Sequence, residues 1–555
     1  MGSGFHVPRP RVAALTVDQL DRRMSLRYAQ PNAFSGFFDI DGDKFIATIS
    51  ADLMILEETD ELSFGIGGNP RVRYVRDLDL DEDLPFQPFR SAFSRIYGFE
   101  DTFNSYRVKL DRVYKPGEIV RLKLSYNSPK LVRKLDEGFW RVERAGFLPF
   151  YEIIGDPAFM TFVMRTKDAY DHVAFGTERR REKRDGYLYT EWGAEHSVLF
   201  PTMNVGQFFP VETTEVDGIK ILGYATKSAV ITDLASPTKG MRQEVEKARS
   251  AMEGYQRMYA LDYPFDNLKI VSVPKQFYAQ APTTILYMDE IFLQPKGLLG
   301  TALRIDSRTL SGTTAHEAGH QWWGGLVSNV NYLHYWFVEG FAELGSALYL
   351  ESVDPGKMKV SLEGWRQDVF LSDHLCSLMD DWRQGGGVPA PPLRYTKGPY
   401  VFLMLGEHFG YDKLTEYMRE IMKLHGGDLI TTTDLQRIAE RVFGVELDFY
   451  WKQWIRENGI PVVGYNLSRP REEGGKWVVD YKLTQRIERN GQVDAGRYFK
   501  MVVPMRVEKA DGGYQTLKVW IDGPEKSGRL ELPFRPKATP EIDPDLRMLF
   551  KRERL

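Results

Sequence analysis

Two histidines four residues apart and a glutamate nineteen residues after the second constrain this 555-residue chain more than any other feature. They stand in Thr314-Ala315-His316-Glu317-Ala318-Gly319-His320-Gln321-Trp322-Trp323-Gly324 and in Trp336-Phe337-Val338-Glu339-Gly340-Phe341-Ala342-Glu343. Residues four apart in an α-helix lie about 40° apart around the axis and one turn along it, so a helix here points both imidazoles the same way. A catalytic zinc ion takes three protein ligands and keeps one position open, and two His plus one Glu is such a set. Glu317, beside His316 on the flank of that face, suits a general base that takes a proton from water. His316, His320 and Glu339 are therefore the expected metal ligands, for one Zn2+ per chain, and Glu317 the expected catalytic base.

The flanks support two helices. Gly312, Thr313 and Thr314 offer a start and Gly324-Gly325 a stop for the first. The second is expected from about Tyr335 to Leu350, with Phe337, Phe341, Leu344 and Leu348 at three- and four-residue spacing, ending before Asp354-Pro355-Gly356. A glutamate on a helix is commonly solvated, but Val338, Phe341 and Ala342 surround Glu339, where an unpaired carboxylate would be costly. Glu343, one turn on, is placed to accept the free N–H of a ligating imidazole.

These helices resemble those of the aminopeptidase N family of zinc peptidases, thermolysin-like enzymes with His-Glu-x-x-His, eighteen residues, then Glu. The family's run after the second His is similar to Gln321-Trp322-Trp323-Gly324-Gly325-Leu326-Val327, and its Asn-Glu-Gly-Phe-Ala to Val338-Glu339-Gly340-Phe341-Ala342. Arg394-Tyr395-Thr396-Lys397-Gly398 resembles the family's Tyr-x-Lys-Gly segment. The resemblance implies that Tyr395 stabilises the oxyanion, where one preorganised donor can contribute a few kcal/mol; by spacing alone Tyr395 is one of 28 tyrosines, any of which can be a packed aromatic.

One departure bears on the reaction. Family aminopeptidases carry a Gly-x-Met-Glu-Asn loop whose Glu anchors the substrate's free amino group. The corresponding stretch here, from Gln276-Phe277 to Asp289-Glu290, has no such motif. Counting from the preceding Phe puts the loop at Gln280, Ala281, Pro282, Thr283 and Thr284, with Thr283 where the Glu should stand. Gln280, Ala281 and Thr283 are candidates for substrate binding. Asp289 and Glu290 are candidate substitutes for the anchor, or plain charges ending a strand. An aminopeptidase acting on short peptides, an endopeptidase or oligopeptidase indifferent to the amino terminus, and a zinc-binding scaffold without turnover all remain open, as does a hydrolase of non-peptide substrates.

Composition excludes other classes. A net charge of −4 disfavours nucleic acid as a main partner, and no stretch reaches the roughly 18 apolar residues of a membrane span. The basic run Arg179-Arg180-Arg181-Glu182-Lys183-Arg184 before Asp185-Gly186 reads as a solvated hairpin end. The acidic run from Asp77 to Asp83 lacks the Gly and closing Glu of a calcium loop. A single cysteine, Cys376, excludes an intrachain disulfide and a Cys-rich zinc site. Met1-Gly2-Ser3-Gly4 reads as a scar of cloning, upstream of which a leader is invisible. Compartment, oligomeric state and side-chain preference stay open.

The expected fold is a multidomain α+β architecture. After an N-terminal extension (1–25), residues 26–228 read as an all-β domain, with Phe45-Ile46-Ala47-Thr48-Ile49 and the alternating Val120 to Tyr126 as strands. Residues 229–461 carry a helical stripe from Met241 to Leu261, the strand Ile270-Val271-Ser272-Val273 and the zinc helices. By the resemblance this is a thermolysin-like α/β catalytic domain, closed by a Gln-Trp helix and a Gly-x-Pro turn. Residues 462–555 return to alternation, as in Trp477 to Leu483, and read as a β-sandwich.

Overall fold

The computed structural model describes residues 28–42, 44–89, 103–136, 138–142, 146–149, 156–226, 237–274, 278–293, 307–372, 376–383, 392–489 and 492–555. The expected N-terminal extension, the boundary near 228 and the pair Gln276-Phe277 lie outside these residues. The chain forms two compact units, one of residues 1–331 with 422–430 and the other of 332–421 with 431–555.

The first unit begins with β-structure. From Phe45 to Ile55 the strand Lys44–Ile55 alternates buried and half-buried residues, the period-two signature of a strand with one face on a core. It pairs antiparallel with Ala29–Asp41 and Ile119–Asn127, and Ala29–Asp41 pairs parallel with Phe159–Lys167, within a mixed eight-stranded sheet. Phe38, Phe45, Phe147 and Phe162 pack ring to ring beneath it. The basic run forms the exposed strand Thr177–Arg184 at the sheet edge, where charge discourages pairing with another chain. Asp185 and Gly186, both at positive φ, turn it back into Tyr187–Gly193. In the acidic run the Asp77 carboxylate accepts the backbone N–H groups of Asp79 (2.8 Å) and Leu80 (3.0 Å), which closes a tight turn.

A second, four-stranded sheet runs Phe208–Val216, Ile219–Thr226, Asn267–Val273, Ile285–Asp289, the last three parallel. Its first two strands lie in the stretch assigned from sequence to the β domain, because both stretches alternate and only strand pairing separates them. Helix α1 (Pro237–Tyr259) crosses over between the second and third strands and buries Met241, Val245, Ala248, Met252 and Tyr255. Asn267–Val273 is buried along its whole length, as expected of a parallel strand covered on both faces.

That strand carries a fully buried lysine. Lys269 donates to the Gly176 carbonyl and to Asn267 Oδ1 (2.5 Å), with its ammonium 5.6 Å from the centre of the Trp192 ring. Burial pushes its pKa down to about 7. Between that value and the ordinary lysine range near 10.4, the unfolded chain holds a proton that the folded chain lacks. Stability therefore rises with pH across this window and is lost as pH falls through about 7, with a limiting slope of about 1.4 kcal/mol per pH unit. Lys269→Met is expected to flatten that slope. Denaturant midpoints measured from pH 7 to 10 check it, and an unchanged slope in the variant would refute the assignment.

The second unit contains helices α3 (Trp336–Val353), α4 (Lys357–Ser372) and α5 (Lys397–Phe409), and a C-terminal β region. The β region starts at Ile460 and forms a six-stranded and a three-stranded sheet. Gln453 ties it to the helices, donating to the Lys500 carbonyl (2.9 Å) and accepting the Lys500 N–H (3.0 Å). Arg366 of α4 meets buried Asp543 at 3.5 Å. Among the described residues no helix is long and apolar enough to cross a membrane.

Candidate metal centre

Helix α2 spans Ser307–Gly319, so Gly312, Thr313 and Thr314 lie inside it rather than at its start. The reason is tertiary: the Thr314 hydroxyl donates to the buried Glu244 carboxylate of α1 instead of capping its own helix. The helix also ends earlier than Gly324-Gly325, at Gly319, and His320 begins a tight turn in which Gly324, at φ +116°, donates to Val327 (2.7 Å). Tyr255 of α1 donates to the Ala315 carbonyl (2.7 Å), and Trp323 Nε1 donates to Tyr259 Oη (3.1 Å). Tyr255 and Tyr259 stack with ring planes 3° apart, and Trp322 packs edge-on against both. The first half of the motif is thus clamped from beneath by aromatic packing and backbone hydrogen bonds.

The two imidazoles converge. His316 Nε2 and His320 Nε2 lie 3.1 Å apart, with the rings nearly perpendicular. His320 Nδ1 lies 2.9 Å from the Trp323 carbonyl, an acceptor only, so Nδ1 carries the proton and Nε2 presents a lone pair. Two nitrogens about 2.0–2.1 Å from one tetrahedral ion lie roughly 3.3 Å apart, so this separation suits a shared metal. Glu317, between them in sequence, is buried.

On α3, Glu339 is 3% exposed. Its Oε1 accepts from two phenols, Tyr335 one helical turn earlier and Tyr395 at 3.0 Å. The approach of Tyr395 depends on glycine. A Cβ on Gly340 would meet the Gly398 backbone at 3.0 Å, and one on Gly398 would meet Gly340 Cα at 3.2 Å, so α3 and α5 cross closely only because both lack side chains. Phe402 stacks on Phe341 and Trp336 beside the crossing. Arg394 donates to buried Asp381 (2.7 Å), which also accepts the Leu393 N–H (2.7 Å). The guanidinium lies 5.8 Å from the Tyr335 ring centre and 5.2 Å from that of Tyr395. Burial first, and the Glu339 carboxylate second, push the Tyr395 phenol far above its ordinary pKa, which keeps it a protonated donor.

His316 and His320 of the first unit present two imidazoles, and Glu339 of the second presents a carboxylate; among the described residues these three are the ones able to hold a metal ion. Two imidazoles and a carboxylate are the donor set that a hydrolytic zinc site uses, and with the proton of His320 on Nδ1 the residues fit the ion. The orienting partner found for His320 is the Trp323 carbonyl; Glu343 accepts from Trp365 Nε1 (3.1 Å).

The stretch facing the absent amine-anchor motif is arranged differently from a substrate-facing carboxylate. Gln280 makes a two-way antiparallel bridge with Tyr287 (3.1 and 2.7 Å), and Gln280 and Ala281 are half-buried. Thr283 is fully buried and its hydroxyl accepts the Phe200 N–H (3.3 Å), so this side chain is not presented to a ligand. Asp289 and Glu290 are 3% and 5% exposed at the inner end of the strand Ile285–Asp289. Thr284, a β-branched residue at φ +64°, is held in that unusual conformation by Gly176, whose N–H it accepts (2.8 Å), and by Gln321 Oε1, which accepts its own N–H (2.8 Å). Gln321 also donates to the Pro282 carbonyl (3.2 Å), tying this loop to the residue after His320. Gln321, Tyr335 and Arg394 are absent from the sequence-based site. The four-residue step from Tyr335 to Glu339 is the one signal that could have found Tyr335; nothing local marks Gln321 or Arg394 for these partners.

Comparison with known proteins agrees with this geometry. Residues 243–454 match the Peptidase family M1 domain. Aminopeptidase M1-B of Oryza sativa subsp. japonica is 25% identical over 365 residues, 60% of this chain and 40% of that protein. Aminopeptidase N of Lactobacillus helveticus is 22% identical over 307 residues, 50% of this chain and 33% of that protein. The chain thus aligns with less than half the length of these curated relatives. The crystal structure of Legionella pneumophila aminopeptidase A in complex with aspartic acid matches the fold with a TM-score of 0.71 at 14% identity, covering 95% of this chain and 60% of that one. The match to the Peptidase family M1 domain is thus confined to residues 243–454, and the relatives that align with the chain are aminopeptidases.

Proposed function

We propose that this chain is a zinc-dependent peptidase that hydrolyses short peptides from the amino terminus. The observation that carries the reading is the 3.1 Å approach of His316 Nε2 and His320 Nε2, with Glu317 beside His316 in the helix Ser307–Gly319. The relatives named are aminopeptidases, and that activity is extended here to this chain. His316 Nε2, His320 Nε2 and Glu339 would hold one zinc ion per chain. The chemistry a bound zinc supplies is Lewis acidity, which brings the pKa of water down to about 7. Glu317 takes the proton of the attacking water on its carboxylate and returns it to the leaving amine nitrogen. Tyr395, protonated and partly sequestered, donates its O–H to the oxygen that gains charge as the carbonyl is attacked. Gln280 and Ala281, half-buried in the stretch that stands where the family's amine-anchor loop does, are the proposed substrate contacts.

A second reading is an endopeptidase or oligopeptidase that ignores the amino terminus. It is favoured by Thr283, which stands where the family's amine-anchoring Glu does and whose hydroxyl is engaged by Phe200; Asp289 and Glu290 are the remaining carboxylates that could serve as anchor. Cleavage of one peptide in free and N-acetylated forms, with and without a chelator, separates the two. The expected result is chelator-sensitive hydrolysis of the free form alone. Equal cleavage of both forms establishes the second reading, and no cleavage of any peptide by zinc-loaded protein refutes both.

A further inference from the structure

We infer that Tyr335 is a positioning residue for the metal ligand Glu339, holding Oε1 so that the carboxylate ligates through Oε2 alone. The inference rests on the zinc-site reading proposed above.

Three observations lead to it. Tyr335 and Tyr395 both donate to the same oxygen, Glu339 Oε1. A carboxylate oxygen has two lone pairs, so Oε1 takes both phenols and its capacity is used, which leaves Oε2 as the ligating atom. Second, the two phenols differ in tether. Tyr335 directly precedes α3 with helical backbone angles (φ −61°, ψ −23°), one turn from Glu339, so its reach to that carboxylate is set within a single helix. Tyr395 comes from a separate short turn, Leu393–Tyr395, 56 residues away in sequence. Third, Arg394, anchored on Asp381, lies over both rings and so braces them as a pair.

The pairing answers a difficulty in the role given to Tyr395. A phenol has one O–H and donates to one acceptor at a time. When Tyr395 turns that proton toward the reacting oxygen, its bond to Glu339 is given up. Without another donor the carboxylate is free to rotate and chelate through both oxygens, which fills the position the reaction needs open. Tyr335 keeps one donor on Oε1 throughout, which restrains the carboxylate's rotation. Tyr395 therefore moves between two acceptors, and Tyr335 stays on one.

The test compares Tyr335→Phe and Tyr395→Phe with the unaltered chain. Zinc affinity is measured by chelator competition, the visible spectrum after cobalt loading, and the melting temperature of metal-free protein. Tyr335→Phe is expected to weaken zinc binding about 10–100-fold, the usual effect of losing an outer partner of a ligand. It is also expected to weaken the cobalt d–d absorption as the coordination number rises, with the metal-free melting temperature unchanged. Tyr395→Phe is expected to lower kcat while zinc affinity stays within a few-fold. Zinc affinity and a cobalt spectrum unchanged in Tyr335→Phe overturn the inference while leaving the zinc site standing. A lowered metal-free melting temperature with an unchanged spectrum also overturns it, assigning Tyr335 to folding. Failure of the unaltered chain to bind zinc overturns the site reading itself, and the inference with it.

Discussion

Glu317→Gln is expected to leave one zinc ion bound and to lower kcat by about 10³–10⁴-fold, at the upper end of what a positioned general base contributes. At about 1.4 kcal/mol per tenfold, that is roughly 4–5.5 kcal/mol of transition-state stabilisation. The carboxamide matches the carboxylate in shape but accepts no proton, so the step that fails is the transfer from water and its return to the leaving amine. Glu317 is buried on a helix clamped by Tyr255 and Thr314, and the substitution adds no volume. Turnover of an unblocked peptide and metal content of the same preparation check it together. A zinc-loaded variant hydrolysing at the unaltered rate would remove Glu317 from the mechanism.

His320→Ala is expected to abolish both metal retention and activity. It takes one of the three proposed ligands, and with it the Nδ1 contact to the Trp323 carbonyl that sets the ring's tautomer and angle. The loss of affinity is expected to exceed the roughly 10–100-fold that follows removal of an outer partner alone. The pair also separates the two residues by kind: Glu317→Gln loses turnover and keeps metal, His320→Ala loses metal first. Metal analysis after dialysis reads the difference. Stoichiometric zinc surviving in His320→Ala would show that the ion, if any, sits elsewhere.

Much of the site was legible from spacing. His316 and His320 converge because a four-residue step is a local property of a helix, and the helix stripe in α1 and the alternation of Lys44–Ile55 are local in the same sense. Element boundaries were less legible. Thr314 reads as a helix start by residue type, yet its hydroxyl is used by Glu244, 70 residues away. Local pattern predicts where a side chain points, but not which distant group reaches it first.

By itself the sequence determined the candidate ligand types, their helical spacing and the α+β class of the fold, since each follows from periodicities of two or 3.6 residues. Only the tertiary structure decided that Glu339 Oε1 receives two phenols, that Gly340 and Gly398 let α3 and α5 cross closely, and that the Thr283 hydroxyl is taken by Phe200. Those facts join segments far apart in the chain, whose meeting depends on how whole helices and sheets pack, and no local period encodes that.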